Sequence, residues 1–234
     1  MSNILIIETS SPVCSIAIAT DGNIRYIRED NEQNHASLSA LFVDEVLHKA
    51  GLTVKDLDAI ALSEGPGSYT GLRIGASLAK GLAYGGNVPI ICLNTLEAMA
   101  EYIIENKALF FHANDKVVFV PMIDARRMEV YTTFYDEKLN IVKPIHALIL
   151  EENTFAPFLP DHHIAMFGTG MEKCRDLYKD GKYIFIDKLN KMSAKHLLSS
   201  TMRKYKKKDF VDTAYFEPNY LKDFIATTPK NKVL

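Results

Sequence analysis

The segment from Ser63 to Gly86, SEGPGSYTGLRIGASLAKGLAYGG, limits the fold more than any other stretch of the chain. It starts at the end of an apolar run, Leu57 to Ser63, that reads as a short strand. Gly65, Pro66 and Gly67 then permit a tight loop with its backbone exposed. A long helix is expected from about Thr70 to Tyr84, stopped by Gly85 and Gly86. The loop feeds the helix N-terminus, where unpaired N–H groups and the helix dipole favour an anion. Gly71, Gly75, Ala79 and Ala83 recur every fourth residue, which puts a strip of small side chains on one face. Such a strip lets another backbone come close. The chain's own sheet and a helix of a second subunit satisfy it equally well.

Strands and helices alternate on both sides of this segment. Ile4 to Ile7 reads as a buried strand, residues 8–13 (ETSSPV) as a turn, and Cys14 to Thr20 as a second strand. Asp21-Gly22 is a favoured hairpin turn into a third strand, Ile24 to Arg28. Asn34 can cap a helix to about Ala50, with Leu38, Leu41, Phe42, Val46 and Leu47 on its apolar stripe and Gly51 at its end. Val88 to Leu93 reads as a strand and Leu96 to Asn106 as a helix. The second half begins again with a strand (Lys116 to Asp124), a polar turn (Ala125 to Arg127) and a strand (Met128 to Asp136), with Ile141 to Pro144 as partner. Ile164 to Phe167 is a strand ending in Gly168-Thr169-Gly170 with a helix after it; Tyr183 to Ile186 is a strand and Ser193 to Tyr205 a helix. This order predicts an α/β protein of two related, strand-rich lobes with flanking helices, residues 1–107 and 108–234.

Composition excludes several classes. The 234 residues suffice for one good core or two small lobes. Hydrophobic residues at 47% and charged residues at 24% are ordinary for a globular chain, and no apolar run reaches the length of a membrane span. The start, MSNILIIETSS, has no basic n-region, so a cytoplasmic location is expected. Cys14, Cys92 and Cys174 are odd in number and far apart, and read as reduced, buried thiols. A net charge of −2 does not advertise a nucleic-acid binder.

Few side chains offer chemistry. The opening turn presents Glu8, Thr9, Ser10, Ser11 and Ser15, and a polar turn between two strands can hold a phosphate. It is poor in glycine and stiffened by Pro12, so hydroxyls that satisfy the turn's own backbone are the favoured reading. Asp124, Arg126, Arg127 and Glu129 surround a strand corner; they could bind phosphate or a partner carboxylate, but an internal ion pair is preferred. His162 and His163 read as a surface turn, and His35 as a local partner at a helix start. The basic run from Arg203 to Lys208 reads as a solvated helix end, with tRNA phosphates the less favoured alternative.

Several of these pieces match one family in order. GPGSYTGLRIGASLAKGLAYGGNVPIICLNTLEAMA, IETSSPVCSIAI, Asn34-His35, IDARRMEVY at 123–131, Gly168-Thr169-Gly170 and Pro218-Asn219-Tyr220-Leu221-Lys222 together resemble the TsaB (YeaZ) family of bacterial tRNA threonylcarbamoyladenosine biosynthesis proteins. The resemblance implies the two-lobe fold of the actin, Hsp70 and sugar-kinase superfamily of ATPases. The superfamily's opening turn is commonly begun by Asp, and Glu8 stands there, so Glu8, Thr9 and Ser10 form a vestigial phosphate turn. The catalytic relative TsaD has an N-H-L-E-G-H pattern whose two histidines bind a metal. Here the run is Asn94-Thr95-Leu96-Glu97-Ala98-Met99, and a hydroxyl and a thioether replace both imidazoles. The resemblance therefore implies a non-catalytic subunit with no metal and no required cofactor, weak ATP or ADP binding being left open. Its implied partners are a TsaD-type subunit, a TsaE-type ATPase, a second copy of the chain, and tRNA only through the complex. The helices at 34–50 and 70–84 would dock, through Leu38, Leu41, Leu72, Gly75, Ala76 and Ala79. A small-molecule kinase or ATPase of the same fold is the alternative, and a metalloprotease a weaker one.

Overall fold

The computed structural model describes residues 1–32, 34–112 and 115–221. Two five-stranded sheets repeat one plan. In the first, β1 (Asn3–Glu8), β2 (Cys14–Thr20) and β3 (Asn23–Asp30) form the expected antiparallel meander, and β4 (Ala59–Gly65) and β5 (Ile90–Asn94) add parallel to β1, in the order β3-β2-β1-β4-β5. In the second, β6 (Val117–Asp124), β7 (Glu129–Tyr135) and β8 (Ile141–Ile149) form the meander, and β9 (His163–Phe167) and β10 (Tyr183–Ile186) add parallel to β6, in the order β10-β9-β6-β7-β8. The two orders correspond strand for strand.

Layering follows from the strand periodicity. Leu5, Ile7, Ile16, Ile18, Ile60 and Leu62 face one way and bury α1 (His35–Ala50) and α2 (Tyr69–Gly86) through Phe42, Val46, Leu47, Ala76, Ala79 and Ala83. The alternate residues Ile4, Ile6, Ala17, Ala61 and Leu93 face α3 (Thr95–Glu105), whose Leu96, Met99 and Ile103 also meet Phe119, Ala165 and Phe167 of the second sheet. The far face of that sheet packs Val120, Phe134 and Met166 on Phe155, Met171 and Tyr178.

After β10 the chain returns to the first sheet. A 3-10 turn, Ala194–Leu197, continues directly into α4 (Leu198–Lys207), so the expected single helix from Ser193 starts as a tighter coil. The Ala194 N–H donates to Ser15 Oγ at 2.9 Å, Ser15 Oγ donates to Glu29 at 3.0 Å, and Ser193 Oγ donates to the same carboxylate. His196 Nδ1 accepts from the Ser193 N–H at 3.1 Å, and burial pushes its pKa down to about 4, which keeps the ring in the neutral form an acceptor needs. Arg203 of α4 pairs with Glu97 and Glu101 of α3, and Lys204 with Asp209. The basic run thus begins inside an ion-pair network and frees its cations only toward the helix end.

Four local expectations change. α2 does not stop at Gly85 but runs through Gly86, and Asn87 takes the left-handed cap with φ 55°. A 3-10 turn, Met171–Cys174, replaces the helix after Gly170; its two buried anchors are three residues apart, the repeat of that tighter coil. The Asn34 side chain makes no capping bond; its carbonyl accepts from Leu38 N–H at 3.0 Å instead. His163 belongs to β9, not to a surface turn.

The small-residue strip of α2 resolves in favour of the chain's own sheet. A Cβ on Gly71 would collide with the Thr9 carbonyl oxygen, and one on Gly75 with Thr9 Oγ1. On the outer face of the same helix, a Cβ on Gly81 would meet nothing within 4 Å. Gly71→Ala should therefore destabilise the protein by about 2–3 kcal/mol through overpacking against backbone. Gly81→Ala should stabilise it by about 0.5–1 kcal/mol by removing a helix-interior glycine. Urea unfolding of both variants measures the contrast, and equal effects would refute this packing.

Candidate functional site

The carboxyl ends of the parallel strands converge between the two sheets, where α/β folds place their sites. The 8–13 turn after β1, the loop after β4, Thr95 after β5, Asp124 at the end of β6 and Thr169 after β9 meet there. With Asn190, Asn219 and Tyr220 they wall a cleft of about 810 Å³.

The turn of Glu8, Thr9 and Ser10 is closed on itself. Glu8 is fully buried, and one carboxylate oxygen accepts both the Ser10 N–H and the Ser10 hydroxyl at 2.6 Å. The Ser10 carbonyl accepts the Ser68 N–H at 2.7 Å, so the start of α2 is hydrogen-bonded onto the turn. Val13 N–H donates to Ser11 Oγ at 3.3 Å, and His35 Nε2 lies 3.0 Å from the Ser11 carbonyl. Of the turn hydroxyls, Ser10 thus bonds the Glu8 side chain, Ser11 takes one backbone N–H of the turn and donates to the Met192 carbonyl at 3.2 Å, and Ser15 turns to Glu29. Burial pushes the Glu8 carboxyl pKa up, while the bonds from the Ser10 hydroxyl and backbone N–H pull it back only in part. Its second oxygen makes no hydrogen bond.

At the corner after β6, the expected ion pair exists with a different cation. Asp124 accepts Lys173 Nζ at 2.8 Å and the Arg126 N–H at 2.6 Å. Arg126 and Arg127 both hold left-handed backbone, φ 70° and 47°, and neither has an ion-pair partner among the described residues. Lys173 lies on the 3-10 turn that replaced the expected helix, so sequence order gave no signal for this pairing.

Thr95 and Met99, at the positions of the paired histidines in the TsaD pattern, both border the cleft. Their hydroxyl and thioether are poor ligands for a divalent ion. Among the described residues no group of three or more His, Cys, Asp or Glu side chains gathers as metal ligands. Burial pushes the thiols of Cys14, Cys92 and Cys174 up, as inert core residues.

Of the six residues expected to dock, four are enclosed by this chain. Leu72 and Ala79 are at most 1% exposed, and Gly75 and Ala76 are buried with them, because the strip they belong to packs on β1 and the opening turn. Leu38 is half-buried, and Leu41 is 48% exposed. The residues α2 turns outward are Arg73, Ser77, Gly81, Tyr84 and Gly85, missed because the inner strip has the same four-residue spacing. The late motif at 218–222 reaches the same site, a contact its sequence does not signal: Asn219 N–H donates to the Glu64 carbonyl at 2.7 Å, and the Tyr220 ring packs tilted on Tyr69 at 4.8 Å. Lys222, the last residue of that motif, lies outside the described residues.

Comparison with known proteins agrees with this geometry. A family model described as TsaD, tRNA N6-adenosine threonylcarbamoyltransferase, matches residues 27–152. The tRNA threonylcarbamoyladenosine biosynthesis protein TsaB of Escherichia coli (strain K12) is 29% identical over 234 residues, covering 95% of this chain and 96% of the relative. The chain belongs to the TsaB (YeaZ) family. The TsaB protein of Haemophilus influenzae is 38% identical over 128 residues; that match spans 55% of this chain and about half, 51%, of the relative's length. The solved structure of YeaZ from Pseudomonas aeruginosa superposes with a TM-score of 0.74 at 25% identity, over 94% of this chain and 100% of that one. No helix among the described residues is long and apolar enough to cross a membrane.

The buried Glu8 gives a pH test. Its folded pKa lies above the ordinary 4.5, so the proton it gains on folding stabilises fully below that pH and is lost as pH rises through the folded value. Glu8→Gln keeps a carbonyl for the Ser10 bonds and cannot ionise. Its stability relative to the native protein should therefore improve in urea unfolding as pH rises above the ordinary 4.5 through the folded value. A pH-independent difference would mean that Glu8 is ionised in the fold.

Proposed function

We propose that this chain serves tRNA threonylcarbamoyladenosine biosynthesis as a non-catalytic scaffold subunit. It acts by binding a TsaD-type transferase, which modifies adenosine 37 of tRNAs reading codons that start with A. A TsaE-type ATPase joins the same assembly in the cytoplasm, and tRNA is met only through the complex. The names of the TsaB relatives support the pathway. The observation that carries the scaffold role is Thr95 and Met99, a hydroxyl and a thioether at the wall where the transferase pattern has two histidines. The strand-for-strand repeat supports an actin-like body with lobes 1–107 and 108–234, the second reaching back over the first. The self-closed opening turn argues against the small-molecule kinase reading and leaves weak ATP or ADP binding as the most a nucleotide would obtain.

The docking surface we assign is the outer face of α1 and α2, with Leu41, Ser77, Gly81, Tyr84 and Gly85. Tyr84 is 88% exposed, and the open glycines beside it let a second helix approach. The same face would pair two copies of this chain in the absence of the transferase. Gly75 is no probe of docking, since any side chain there strikes Thr9. Gly81→Trp is, because its Cβ points into open space. It should unfold at or above the native midpoint while weakening transferase capture and self-association at least about tenfold. In a reconstituted assay with a TsaD-type and a TsaE-type protein, tRNA modification should require this chain and fall with Gly81→Trp. Modification that proceeds equally well without the chain would overturn the role.

A further inference from the structure

The cleft holds polar groups that docking through the outer helices does not use. Among the described residues the charged groups of its wall are Asp124 and Arg126. Lys173 pairs with Asp124 at 2.8 Å, so the described charge of the wall left without an ion pair is the Arg126 guanidinium. His35, which also lines the cleft, faces the Ser11 carbonyl through Nε2. The Asp124 carboxylate accepts the Arg126 N–H and helps to hold that residue at φ 70° beside the cavity.

Two uncharged walls complement this cation. The 18-residue α2 begins in the cleft, and its dipole adds partial positive charge there. Ser68 Oγ takes the Gly71 N–H, whereas the Thr70 N–H has no acceptor among the described residues. Thr95 also lines the cleft; it is 1% exposed, yet its hydroxyl makes no hydrogen bond. Asn190 lines it too, with a buried amide oxygen that nothing satisfies. Buried polar atoms are paired in folded proteins, so two orphans among the residues that line one cleft call for a molecule that satisfies them.

Their chemistry specifies that molecule. A guanidinium, a helix N-terminus and a hydroxyl donate hydrogen bonds, which suits an oxyanion. The Asn190 oxygen accepts one, which suits a hydroxyl on the same ligand. A nucleotide is disfavoured because the opening turn spends its groups on Glu8 and Ser68. We propose that the cleft binds a small hydroxylated oxyanion, held by Arg126, Thr70 and Thr95, with its hydroxyl on Asn190. The site is separate from the docking face, so neither reading depends on the other.

Backbone amide shifts of the full chain during titration test this, with glycerol 3-phosphate and glycolate as separate probes. Saturable shifts at Thr70, Thr95 and Arg126 are expected with at least one probe. The tighter probe assigns the anion as phosphate or carboxylate. Arg126→Gly fits the left-handed backbone while removing the guanidinium, and should weaken binding about tenfold or more with an unchanged unfolding midpoint. Thr95→Val should weaken it about fivefold. Arg127→Gly, a neighbouring exposed arginine outside the cleft wall, should bind as the native chain does. The proposal is overturned by the absence of saturable shifts with both probes, by unaltered binding in Arg126→Gly, or by adenosine binding as tightly as either anion.

Discussion

The contact on which the rest of the structure depends is the seating of α2 on the opening turn. Thr9 and Ser10 lie against the first two turns of the helix, where Gly71 and Gly75 leave no side chain between the backbones. The Ser10 carbonyl then accepts the Ser68 N–H, and Glu8 folds back under Ser10. One close approach therefore fixes the helix over the strand ends, closes the opening turn and sends the other face of α2 to the surface. A single methyl at Gly71 would lift the helix from the sheet that Ala76, Ala79 and Ala83 fill. The closed opening turn and the exposed outer face of α2 are two results of the same packing.

Much of the fold is legible in the sequence, because strand alternation and turn chemistry are local. Asp21-Gly22 announces the first hairpin, and Ile4 to Ile7 is apolar without a break because both sides of β1 are covered. The ends of elements are less legible. Gly85 and Gly86 look like a stop, yet a glycine facing open space costs a helix only about 1 kcal/mol, and the left-handed residue is Asn87. Helix-like polarity after Gly170 misleads because only Met171 and Cys174 are anchored there.

The site divides in the same way. Its turn residues and the Asp124 corner can be picked out from residue type and order, and Thr95 and Met99 only through the resemblance to the TsaD pattern. Which face of α2 is inside cannot, since Gly71-Gly75-Ala79-Ala83 and Ser77-Gly81-Gly85 have the same spacing. Lys173 pairs with Asp124 across 49 positions, and Ser193 meets Glu29 across 164; neither pair leaves a mark on local sequence. Long-range polar partners of this kind are set by the arrangement of whole sheets.

The return of the chain has a mechanical consequence. The polypeptide passes from the first sheet to the second after α3 and comes back before Ala194, where Ser15 and Glu29 anchor it. The two crossings and the apolar core that α3 shares with both sheets, Leu96, Met99 and Ile103 among Ile4, Ile6, Phe119 and Phe167, tie the sheets into one body. A force on either sheet is therefore carried to the other through buried contacts and not through a bare linker.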